Sequence, residues 1–200
     1  MEARLTPRRL LCAATIVALV SAMSACGGGG DAQAAAKDPP LQKYSAPGLS
    51  FSYPTAWTAS KAILPADTLH FQPLAYVSTQ PVGPPCTTHG NETACGFPLK
   101  RLRPGGVLVM WQYPYALPGF TLGGGARIKV DAHPATRTTT KPGVCRQVGA
   151  DRTIDVLIQL VPHSSYVELT ACLRGPNLVQ AERSVDAMLA SATFPSYARS

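Results

Sequence analysis

Hydrophobic and polar residues alternate most regularly in the last third of the chain. Ile154, Val156, Ile158 and Leu160 take turns with Thr153, Asp155, Leu157 and Gln159. Val167, Leu169, Ala171 and Leu173 do the same with Tyr166, Glu168, Thr170 and Cys172. A period of two marks half-buried strands, and Pro162-His163-Ser164-Ser165 supplies the turn that makes these two neighbours. Leu49, Phe51 and Tyr53 alternate with serines, which predicts a strand ending at Pro54, with Trp57 anchoring the next turn against the core. The run from Gly106 to Tyr113 is apolar on both faces, as expected of a strand in the middle of a sheet with material packed on each side. Shorter strands are predicted at Thr68–Phe71 and Ala75–Thr79, separated by Pro73, and at Arg127–Val130 and Ala135–Thr140 around the turn Asp131-Ala132-His133-Pro134. The stretch Pro114–Gly125, rich in glycine and proline, reads as a loop.

Beyond Gly175-Pro176 the spacing changes. Leu178, Ala181, Val185, Met188, Leu189 and Ala192 recur at three- and four-residue steps, the stripe of an amphipathic helix. Proline suits a first helical turn, since its missing N–H has no partner there. Gln180, Glu182, Arg183 and Asp186 are expected to face water, and Phe194 to pack back on the core. Strands followed by one helix run through residues 44–200, which fit a single α+β domain.

The first 25 residues have a different character. Arg4, Arg8 and Arg9 precede an apolar run from Leu10 to Val20, the positive and greasy halves of an export signal. A spanning helix needs about 20 predominantly apolar residues, and this run is shorter. Met23-Ser24-Ala25-Cys26 resembles the bacterial lipobox, which implies cleavage before Cys26 and a lipid on its thiol. Lipid adds about 0.8 kcal/mol per buried CH2, so one chain binds marginally and two or three hold firmly. Residues 26–43, opening with Cys26 and four glycines and continuing rich in alanine and proline, are expected to form a flexible tether.

Charge and cysteine usage narrow the setting. The chain of 200 residues carries 18 Lys and Arg against 11 Asp and Glu. Losing the leader's three arginines and Glu2 leaves 15 against 10, a net +5. Such a surface suits anionic headgroups or wall polymers, and nucleic acid is not expected as a partner of an exported chain. The basic run Lys100-Arg101-Leu102-Arg103 reads as a solvated loop. Cys12 leaves with the leader and Cys26 takes lipid, so Cys86, Cys95, Cys145 and Cys172 remain for disulfides outside the cytoplasm. Four cysteines allow three connectivities, and Cys86–Cys95 with Cys145–Cys172 is favoured. Loop closure makes these worth about 2.7 and 3.6 kcal/mol in the chain-entropy account. A flat three-strand spacing would hold the alpha carbons of Cys145 and Cys172 about 9–10 Å apart, beyond disulfide reach. The strand order must therefore differ, or one cysteine must lie at a strand end. Cys86, His89 and Cys95 lack the Cys-x2-Cys spacing of a zinc site, and neither metal nor cofactor is expected.

No Gly-x-Ser-x-Gly elbow, His-Glu-x-x-His pair, Walker loop or dinucleotide fingerprint occurs. Two function classes follow. One is a non-catalytic envelope module that binds a protein, lipid or wall polymer, with Tyr115 and Phe120 as ligand-contact candidates and Trp111 as core. The other is an envelope hydrolase with a dispersed site. A pocket joining two or more of His70, Asp131, His133, Asp155 and Glu168 would favour the second, and scattered exposed histidines the first.

Gly48-Leu49-Ser50-Phe51-Ser52-Tyr53-Pro54-Thr55-Ala56-Trp57 resembles the opening signature of PsbP-like domains. The closing helix with Ala190-Ser191-Ala192-Thr193-Phe194 is similar to their terminal helix and last short strand, and Val130–Ala135 to a turn that usually carries glycine where Ala132 stands. Small lipoproteins of high-GC Gram-positive bacteria resemble this plan. The resemblance implies an antiparallel β-sheet with flanking helices (an α/β/α sandwich), a non-catalytic accessory role at the outer face of the cell membrane, and no transferred functional residues.

Overall fold

The computed structural model describes residues 39–61, 72–90, 92–114 and 121–195. In chain order the strands are β1 (Leu41–Ala46), β2 (Leu49–Pro54), β3 (Thr58–Lys61), β4 (Gln72–Ser78), β5 (Cys86–His89) and β6 (Glu92–Cys95). They continue with β7 (Val107–Tyr113), β8 (Ala126–Val130) and β9 (His133–Thr140). A 3-10 helix, η1 (Gly143–Val148), precedes β10 (Arg152–Val161) and β11 (Ser165–Leu173), and α1 (Leu178–Ala190) follows.

Seven strands form one antiparallel sheet in the order β3-β4-β7-β11-β10-β9-β8, and β1–β2 and β5–β6 are separate hairpins. The architecture is therefore α+β, a mostly antiparallel sheet with one α-helix near the C-terminus among the described residues. Strand β7 lies inside the sheet, where its two-sided apolar character belongs, and both faces of it are buried.

Alternation on the strands splits the apolar residues into two cores. Val77, Val109, Trp111, Leu169, Ala171, Ile154, Val156 and Ile158 face α1 and the β1–β2 hairpin. Phe51 stacks on Trp111 at 5.4 Å and on Tyr44 at 4.9 Å, and Phe194 meets Trp111 edge-on at 6.3 Å. The helix turns Val185, Met188 and Leu189 inward, with Leu178 and Ala181 partly buried beside them. Thr193 forms a backbone bridge with Ser50, which draws Phe194 into this core.

On the other face a smaller core gathers Tyr76, Leu108, Met110 and Cys172 under Leu102, Cys145, Val148 and Ala150. Its cover is irregular chain and η1 in place of a second α-helix. Cys86 is bonded to Cys95, and Cys145 to Cys172 with alpha carbons 5.3 Å apart.

Several local expectations change. Cys145 lies on η1, not on a strand, so it sits above the sheet and reaches Cys172 without crossing β10 in plane. Its backbone N–H donates to Thr153 Oγ1 at 3.3 Å, and a side chain at Gly143 would run into Thr140 and Thr153, so η1 is pressed onto the strand. Leu41–Lys43 belong to β1, paired with Tyr53, Pro54 and Ser52, so the ordered fold begins inside the stretch read as tether. Pro73 lies within β4 at a register shift, the kind of place a sheet tolerates proline. Leu102 is fully buried, so the basic run around it is a pinned loop. Pro176 precedes the helix N-cap Asn177 instead of opening the first turn. Glu182 does not simply face water: it binds Arg137 Nη2 at 2.7 Å and also Arg152, tying α1 to β9 and β10. The predicted strand Thr68–Phe71 lies outside the described residues.

Candidate functional site

The registers of β7, β11 and β10 lay the second face out in rows. One row runs Tyr76, Met110, Thr170, Asp155, Thr138, and the next brings Gln112, Glu168 and Leu157 into line. The row before them, Leu108, Cys172 and Thr153, lies under the irregular cover. The cover stops short of the polar rows, and a cavity of about 470 Å³ opens there.

Met110, Gln112, Glu168, Thr170 and Asp155 come from three adjacent strands and form its floor. Cys95, Gly96 and Phe97 make one wall, and Val144 and Gln147 of η1 the other. Cys145–Cys172 bonds the η1 wall to β11, while Cys86–Cys95 closes the β5–β6 hairpin, whose end forms the other wall, on itself. The volume is that of a small-molecule site, with polar groups converging on a partly apolar surface.

The floor is hydrogen-bonded internally, but not fully. Gln112 Nε2 donates to Glu168 Oε2 at 2.7 Å, and Thr170 Oγ1 donates to Asp155 Oδ1 at 3.0 Å. Gln112 Oε1 is buried and accepts no hydrogen bond. Burial pushes the Asp155 carboxyl above its usual range, against the opposing hydrogen bond from Thr170. Burial also pushes Glu168 up, the Gln112 hydrogen bond opposes this, and the charge of Asp155 adds to the rise. No Lys, Arg or His appears among the described residues that line the cavity. Arg127 lies on this face at the outermost strand and Arg146 on η1, and neither is a lining residue.

Of the dispersed set, Asp155 and Glu168 meet here. Asp131 and His133 do not join them. His133 is buried on the opposite side, its ring edge-on to Phe194 at 5.9 Å, and Asp131 Oδ2 accepts the Phe194 backbone N–H at 2.7 Å. Asp131 and Ala132 both have positive φ, 49° and 63°, so they form the turn and His133 and Pro134 are already in β9. Their work is structural. His89 and His163 are exposed, the latter in the β10–β11 turn. His70, Tyr115, Phe120, Cys26 and residues 1–25 lie outside the described residues. Trp111 is fully buried core.

The cavity walls escaped the sequence reading. Phe97, Val144 and Gln147 follow no period, and only the cysteines beside them signalled that those segments are held. Among the described residues no group of three or more His, Cys, Asp and Glu is arranged to hold a metal, and no helix is long and apolar enough to cross a membrane. No family model, curated protein or solved structure matches the chain.

Proposed function

We propose that this chain is an extracytoplasmic lipoprotein, anchored through Cys26, whose PsbP-like domain is a non-catalytic binding module of the cell envelope. The cavity on the open sheet face is its binding site. One observation carries the reading: half-buried polar groups from three adjacent strands converge on a small-molecule-sized space, one wall of which is bonded to the sheet by Cys145–Cys172. Such a site is held in shape before the ligand arrives, which lowers the ordering cost of binding. Two disulfides fit an oxidising compartment, and the apolar leader with its cysteine supplies the address.

A hydrolase is the second reading, favoured by the meeting of Asp155 and Glu168 in one cavity. Burial pushes both carboxyls upward and the Asp155 charge raises Glu168 further, a separation that acid and base roles can use. No Lys, Arg or His lines the cavity beside them among the described residues, and binding accounts for the site better than turnover.

The test is native mass spectrometry of the full chain isolated from its own envelope. A small-molecule adduct that disappears in the double variant Asp155→Asn, Glu168→Gln supports the reading. Hydrolytic turnover abolished by either single substitution would replace it with the second. Loss of membrane fractionation in Cys26→Ala supports the anchor, and retention in the membrane pellet refutes it.

A further inference from the structure

The chemical class of the ligand follows from a census of donors and acceptors at the cavity floor, on the premise that the cavity is the binding site proposed above. Asp155 and Glu168 in their ionised forms only accept hydrogen bonds. Gln112 spends an N–H on Glu168, and its carbonyl oxygen is left buried and without a donor. The Thr170 hydroxyl spends its proton on Asp155. The cavity thus presents two carboxylates with no cation among the described residues that line it, and the amide groups of Gln112 and Gln147 as further polar side chains. Two half-buried carboxylates on adjacent strands repel one another. A ligand that brings positive charge and several N–H groups relieves that repulsion and donates to both carboxylates. Phe97, Met110 and Val144 offer the same ligand an apolar surface, and an aromatic ring also attracts a cation.

We propose that the cavity takes a protonated primary amine borne on a short apolar body, with the ammonium on Asp155 and Glu168 and the body against Phe97 and Met110. The N–H donors of one ammonium serve both carboxylates. A quaternary ammonium has no N–H to give them, so it binds less well. An anion is repelled.

Occupancy depends on pH through the same two carboxyls. Both titrate above their ordinary range because they are buried, so they gain protons early as the medium is acidified. The remaining groups facing them, Gln112 and Met110 on β7, Thr170 on β11, Thr138 on β9, Gln147 on η1 and Phe97, do not titrate. Amine binding therefore falls as the pH drops through the raised values.

The experiment follows backbone amide shifts of the full chain during titration with n-hexylammonium, its neutral isostere n-hexanol, n-hexanoate and calcium ion. The expected result is shifts at Gln112, Asp155, Glu168 and Thr170, with hexylammonium at least ten-fold tighter than hexanol and no response to hexanoate. In the double variant Asp155→Asn, Glu168→Gln the preference for hexylammonium over hexanol collapses toward unity. Equal binding of hexanol and hexylammonium would overturn the amine assignment and leave the cavity a binding site. A response to calcium alone would overturn it in favour of a metal. Absence of shifts at all four residues with every probe would overturn the amine assignment and count against the cavity as the binding site.

Discussion

One face of the seven-stranded sheet is closed by regular structure, and the other by irregular chain held with disulfides. Among the described residues 24 buried ones form a continuous core on the α1 side, with aromatic rings from β2, β7 and the C-terminal segment in contact. Eight described residues are buried on the other side, where Cys145–Cys172 bonds the cover to the sheet and Cys86–Cys95 closes the β5–β6 hairpin. A helix stripe closes its half of the molecule by repetition, every three or four residues. Loops have no such repeat, so covalent links hold them where apolar area is scarce. The incomplete cover is what leaves Asp155, Glu168 and Gln112 reachable. The lesson is a division of labour, with stability on the α1 face and recognition on the open one.

Substitutions can break this contrast in a graded way. Phe51→Ala or Trp111→Ala, in the large core, is expected to cost about 3–5 kcal/mol, measured by urea unfolding. Removing Cys145–Cys172 by paired alanine substitution should cost about 2–4 kcal/mol and also loosen η1 over the cavity, seen as faster amide exchange there. A smaller effect belongs to Glu182→Gln, which takes away the links to Arg137 and Arg152 and should cost about 1 kcal/mol at neutral pH. The Arg137 hydrogen bond, together with Arg152, holds the Glu182 carboxyl below its usual range, against a modest opposing effect of burial. Its contribution is therefore present above the unfolded-state value and lost as pH falls through the folded one. The wild-type advantage over Glu182→Gln should vanish in acid and persist at neutral pH.

Much of this arrangement could be read from residue order. The alternation of β10 and β11, the stripe of α1 and the doubly apolar β7 each express a local period, and the structure places them accordingly. What escaped depends on distant partners. Leu41–Lys43 look like linker until β2 pairs with them. Leu102 looks solvated among arginines until Val148 accepts its backbone N–H and the second core closes over it. Cys145 fits a strand pattern as well as a helical one, and only its packing on Thr153 decides. Asp155 and Glu168 were recognisable as individual polar positions. Their meeting is a consequence of register, since Asp155 faces Thr170 and Glu168 is the next residue along that face of β11.

The open-face carboxylates distinguish recognition from stability most sharply. Burial raises the folded-state value of Glu168, so its charge opposes folding at neutral pH and folding gains as pH falls through that value. Urea unfolding of Glu168→Gln beside wild type at neutral pH is the decisive comparison. A midpoint equal to or above wild type, by up to about 1 kcal/mol, is predicted for a group retained for its ligand at the expense of stability. A loss as large as that of a core truncation would contradict the account and make Glu168 part of the framework.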